Sequence, residues 1–112
     1  MEQKERRKYK RLDVSFEVFI SLLDRKNNID GEKLKADSVN ISASGMLFNF
    51  DDNLKIGTYL FITFFPPSND NEIIVHGKVV RSKKKKDDVY AIAVHFMEFE
   101  KGDESELNRL LQ

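Results

Sequence analysis

Apolar side chains recur at every second position in a series of short stretches, and turn-forming residues separate the stretches. Val14, Phe16, Val18, Ile20 and Leu22 alternate with Ser15, Glu17, Phe19 and Ser21. Met46, Phe48 and Phe50 repeat the pattern, and so do Tyr90, Ile92, Val94 and Phe96. A period of two is that of a pleated strand with one face buried. Residues 59–65 and 73–82 add two more apolar strands, and residues 33–41 add a strand that is polar in its first half and so exposed or at an edge. Six short strands, with turns roughly every ten residues, predict an all-β fold, a closed or nearly closed six-stranded antiparallel barrel. Residues 59–65 are apolar on both faces, which favours a central place.

The punctuation supports the same reading. Asp30-Gly31, inside a run of turn formers from Asn27, is a strong hairpin signal. Pro66 and Pro67 cannot continue a ladder and open a loop. Residues 83–88 read as a charged hairpin connection. The C-terminus differs. Asp103 can cap a helix with Glu106 three residues on, and Leu107, Leu110 and Leu111 then fall at helical spacing. Such a helix is too short to stand alone and should dock on the sheet. The expected organisation is a basic arm over residues 1–12 and a barrel with its helix over residues 13–112, together one domain.

With 112 residues, 40% of them hydrophobic and nine of them Phe, the chain can build one modest core. It has no cysteine, which excludes disulfides, thiolate metal sites and a cysteine nucleophile. No apolar run reaches the length of a membrane span, and no hydrophobic core follows the charged N-terminus, so a soluble, cytoplasmic protein is expected. The net charge is zero but unevenly spread. Residues 1–11 hold six Lys or Arg against two Glu, Lys83, Lys84, Lys85 and Lys86 form a second basic run, and acidic residues gather near the C-terminus. A local basic patch can meet an anionic ligand in spite of the neutral total.

Two stretches carry candidate binding chemistry. In an extended chain Asn40 and Ser42 point to one side and Ile41 to the other, toward a core. Gly45 then permits a positive φ or a close approach of another group to the backbone. An amide, a hydroxyl and a glycine at a strand end make a small polar cup. In the arm, Arg7 and Arg11 are four apart, which puts them on one side of either a helical turn or a strand. A guanidinium grips phosphate through two hydrogen bonds, stacks on ring faces and can donate to guanine O6 and N7. Taken singly, an ordinary turn and a solvated basic tail explain both stretches.

Together, Arg7-x-x-x-Arg11 and Asn40-x-Ser42-x-x-Gly45 resemble the two signatures of the PilZ domain, in the family's order. The likeness extends through Val79-Val80-Arg81 and residues 91–96. It implies a six-stranded barrel that binds cyclic di-GMP, a bacterial second messenger, between the arm and the cup, with no cofactor and no catalysis. Carried over, Arg7 and Arg11 contact guanine and phosphate, Asn40 and Ser42 meet guanine edges and phosphate from the barrel side, Gly45 shapes the turn beneath, and Arg6 is a further contact. The resemblance implies an output through an unidentified protein partner and leaves the oligomeric state open.

Other residues offer weaker alternatives. His76 and His95 lack further ligands at a metal-site spacing. Ser42 and Ser44 have no motif-placed histidine and no nucleophile elbow, so an enzyme is not expected. Phe61, Phe64 and Phe65 read as core. A ligand-free PilZ-like adaptor is the first alternative function. A small nucleic-acid-binding barrel is disfavoured by the missing broad basic face.

Overall fold

The computed structural model of the chain describes residues 11–12, 16–24, 26, 28–66 and 71–111. They form β1 (Arg11–Leu12), β2 (Glu17–Leu23), β3 (Ile29–Ser42), β4 (Gly45–Phe50), β5 (Tyr59–Phe64), β6 (Ile73–Lys86), β7 (Val89–Phe99) and α1 (Asp103–Leu110). The sheet order is β1-β3-β2-β5-β6-β7-β4, and β4 returns to pair with β3. All pairings are antiparallel, so β2 to β7 close into the expected six-stranded barrel. Closure removes the unpaired edges of an open sheet. It also removes any central strand, so the two-faced apolarity of β5 does not mark a centre.

The alternation sorts inside from outside. Val18, Ile20, Phe48, Ile62, Phe64, Val75, Val79 and Ile92 are fully enclosed in the barrel. Each side chain of this size stabilises the fold by about 1.5–3 kcal/mol on burial. Leu107 and Leu111 of the C-terminal segment join the same core, so the helix docks as its leucine spacing requires.

Several local expectations are corrected. Asp30-Gly31 is not the hairpin turn but lies within β3, with Gly31 at φ 92°. The chain reverses earlier because the Asp24 carboxylate accepts from the amides of Lys26 and Asn28, at 2.8 and 2.9 Å. The loop between the paired residues Leu23 and Ile29 is five residues long, and the Asp24 carboxylate supplies the hydrogen bonds that close it. The polar first half of β3 is exposed, yet it pairs with β2 and is no free edge. Lys83, Lys84, Lys85 and Lys86 are strand and not connection: β6 and β7 extend as a hairpin that turns at Asp87 and Asp88. Asp103 does not cap the helix. Gly102 holds that position, and Asp103 Oδ2 accepts from the Ile74 amide of β6 at 2.8 Å. Glu106 pairs with Arg109 in place of a capping box, and this partner raises the Arg109 pKa above its ordinary value. Of the three phenylalanines read as core, only Phe64 is enclosed; Phe61 is half-buried and Phe65 is 50% exposed.

Candidate functional site

The cup forms where β3 passes into β4 through Ala43 and Ser44. Ile41 is 2% exposed and faces the core, while Asn40 and Ser42 are half-buried on the outer wall, as their spacing requires. The Ser42 hydroxyl holds the turn together. Its Oγ accepts from the Ser44 amide at 3.3 Å and lies 3.3 Å from Ser44 Oγ. Ser44 O accepts from the Phe96 amide at 2.8 Å, which ties the turn to β7.

Of the two uses open to Gly45, the structure takes the close approach. Gly45 is not among the positive-φ glycines. A Cβ placed on it would lie 2.3 Å from Val94 O, the backbone oxygen of the neighbouring strand. No real side chain tolerates that distance, so β4 and β7 can pair at this point only through glycine.

Register assembles the wall around the cup. Asn40 stands opposite Leu47, Leu47 opposite Ala93, and Ala93 opposite Arg81. One row thus crosses β3, β4, β7 and β6, with a step of about 4.7–4.9 Å between neighbouring strands. The next outward row sets Gly45 opposite His95 and His95 opposite Lys78. Together these rows line a shallow pocket of about 230 Å³ that includes Asn40, Ser42, Ser44, Gly45, Arg81 and His95.

Arg81 reaches the row because the β6–β7 register shifts between Val79 and Arg81. Val79 is buried, while Val80 is 49% exposed. Val80 and Arg81 are both exposed, so the alternation slips between them; strict alternation would have put Arg81 on the inner face with Val79. In the sequence Val79-Val80-Arg81 carries only part of a likeness, and no spacing there ties Arg81 to the cup. His95 likewise has no such tie. His76, by contrast, packs its ring on Phe61 at 5.6 Å. Among the described residues no group of His, Asp or Glu could hold a metal ion.

Arg11 and Leu12 meet the barrel beside the cup. Arg11 pairs with Ser42 and Leu12 with Ile41, so Arg11 belongs to a strand, β1. The Phe16 amide then donates to Ser38 Oγ at 3.1 Å, and the Ser38 amide donates back to Phe16 O at 3.0 Å. Asn40, Ser42, Gly45 and the backbone of Arg11 are therefore brought together. Arg6 and Arg7 lie outside the described residues, as does most of the segment 1–12 expected to form the arm.

The described residues thus form a six-stranded barrel with a polar cup on its outer wall and the two-residue strand β1 paired beside it. The chain belongs to the PilZ domain family, which matches residues 5–112. Among solved structures it is similar to the Bacillus subtilis inhibitor of motility MotI/DgrA, with 24% identity, a TM-score of 0.76, and coverage of 99% of this chain and 52% of that one. It thus spans about half the length of that protein. It is also similar to the PilZ domain with c-di-GMP of YcgR from Escherichia coli, with 15% identity, a TM-score of 0.66, and coverage of 96% of this chain and 89% of that one. The K. pneumonia MrkH–c-di-GMP complex is a third, with 16% identity, a TM-score of 0.69, and coverage of 96% and 51%. No curated protein matches the chain in sequence. Among the described residues no helix is long and apolar enough to cross a membrane.

Proposed function

We propose that this PilZ domain is a receptor for cyclic di-GMP that performs no chemistry and passes the signal to a protein partner through its N-terminal arm. The observation that carries the reading is the pairing of Arg11 with Ser42 beside Asn40 and Gly45, which sets the last residue of one signature against the middle of the other. Family membership supports it, and so do the two similar structures that hold c-di-GMP, those of YcgR and MrkH. In this reading Arg7 and Arg11 grip phosphate and guanine, with Arg6 as a further contact. Asn40 and Ser42 present an amide and a hydroxyl from the wall, and Arg81 closes the row from the far side.

Arg11 and Leu12 are already paired to β3, so the entropy of ordering falls on the residues before them. Those residues are almost free of apolar side chains and gain little by packing on the barrel. A dianionic ligand that bridges them to the cup supplies the missing interaction, and it shifts the arm only because it touches the arm in one of the two states. The bound arm and ligand together make a surface that a partner reads.

Isothermal titration with cyclic di-GMP, run beside single-stranded nucleic acid, tests the proposal. Saturable heat with the dinucleotide alone is expected. No heat at high micromolar ligand would leave the adaptor reading, and stronger binding of nucleic acid would replace it with the third.

A further inference from the structure

Two positions on the floor of the pocket carry almost no side chain. Gly45 and Ala93 both face outward on the neighbouring strands β4 and β7, diagonal to one another. The floor there is bare backbone and one methyl group, flat enough for a planar ring. Side chains on a strand stand roughly perpendicular to the sheet, so the neighbours of such a gap become its walls. One of them is His95, directly opposite Gly45. His95 is exposed, and among the described residues no hydrogen bond, ion pair or ring contact engages its imidazole.

The backbone fixes His95 in this place. The close approach of Gly45 to Val94 O leaves no slack between β4 and β7, and the bond from the Phe96 amide to Ser44 O clamps the next residue to the turn. On its other side His95 faces Lys78. The Lys78 ammonium lies over the ring of Tyr59, 5.8 Å from its centroid, and Tyr59 stands on β5, on the far side of Lys78 from His95. The ammonium thus leans away, and the imidazole is the side chain next to the gap. Arg81, opposite Ala93, is diagonal to His95 across β6 and β7. Diagonal neighbours about 7–8 Å apart are within reach of long side chains.

We propose that His95 reads the base edge of the ligand and, with Arg81, selects guanine over adenine. This role rests on the receptor reading above and deepens it by naming what sets the base preference. A purine resting on Gly45 and Ala93 turns one edge toward His95 and Arg81. Guanine presents two acceptors on such an edge, O6 and N7. An imidazole N–H and a guanidinium both donate to them. Adenine carries an amine in place of O6, and a guanidinium has only donors to set against it. A donor then faces a donor, which costs more than a hydrogen bond left unmade in water. His95 belongs to neither signature, at residues 7–11 or at residues 40–45, so the base preference is set on a strand that the signatures do not touch.

Titration of cyclic di-GMP and cyclic di-AMP into the full chain and its His95 variants tests this role. The parent should prefer the guanine dinucleotide. His95→Ala should lose about twofold to tenfold in affinity for cyclic di-GMP, the range of one neutral hydrogen bond, and little for cyclic di-AMP, so the preference falls by the same factor. His95→Gln should lower the preference as well, because a carboxamide pairs with adenine N6 and N7, whereas His95→Arg, which donates to O6 and N7, should keep it. His76→Gln is the control: the His76 ring packs on Phe61 outside the pocket, and the preference should not move. His95 is exposed, so its variants should melt with the parent, which separates a ligand contact from a structural role. A preference unchanged in both His95→Ala and His95→Gln, in chains that still bind cyclic di-GMP, overturns the role of His95 and leaves the receptor reading standing. A parent that binds neither dinucleotide refutes the receptor reading and the role of His95 with it.

Discussion

Replacement of Gly45 by alanine tests how the cup is built. The added Cβ would lie 2.3 Å from Val94 O. Contacts under 3.0 Å are essentially never seen for a real Cβ, so β4 and β7 must part by about 0.7 Å or more. The obstacle is backbone, which no rotamer change can clear. Overpacking of this kind costs about 3 kcal/mol or more, and the entropy that alanine removes from the unfolded chain returns about 0.4–1 kcal/mol. A net loss of about 2–3 kcal/mol is expected, which for a domain of this size lowers Tm by about 10–15 °C. Gly77→Ala is the control. Its Cβ would meet Ile62 Cδ1 at 2.9 Å, the far end of a flexible side chain, and the expected loss is under about 1 kcal/mol. Calorimetric melting of the two variants beside the parent provides the readout. Equal melting of Gly45→Ala and the parent would refute the close approach of β4 to β7 and the cup geometry derived from it.

Arg7→Ala and Arg11→Ala should each weaken cyclic di-GMP binding by about tenfold to a hundredfold, since charge-assisted bonds contribute about 1.5–3 kcal/mol each. Arg11→Lys should lose most of that too; if titration finds Lys equivalent, the site is a plain phosphate patch. Exchange of Lys85 and Lys86 for Gln together should leave the affinity within about threefold, because they lie four and five residues along β6 from Arg81, beyond the roughly 8–10 Å over which charges act at ordinary salt. A larger loss by titration would extend the site along the β6–β7 hairpin. Asp103→Ala leaves the Ile74 amide without its acceptor and should cost about 1–3 kcal/mol in urea unfolding, whereas Asp103→Asn, which keeps an acceptor oxygen, should cost less.

The strands were legible in the sequence because a period of two sorts Met46, Phe48 and Phe50 inward without reference to any partner. Turns were less legible because side chains compete for them: Asp24 captures the reversal that Asp30-Gly31 advertises. The first residues of the helix misled for a similar reason. Asp103 has the chemistry of a cap, but a strand amide twenty-nine residues away claims its carboxylate. In the candidate site, Asn40, Ser42 and Gly45 could be grouped because they are neighbours in the chain. Arg81 could not, since its place depends on three successive strand registers and one slip at Val80. Periodicity carries no information of that range.

The row from Asn40 to Arg81 also has a history in folding. Asn40 and Leu47 belong to one hairpin, and Ala93 and Arg81 to another. Each hairpin joins strands adjacent in the chain and can form early, because little loop entropy opposes local pairing. The seam between them, Gly45 to Phe50 against Tyr90 to His95, closes a loop of some forty residues and comes later. A chain with both hairpins formed but the seam open has each half of the row and no complete row. Any ligand that requires all four strands therefore binds only where this seam has closed.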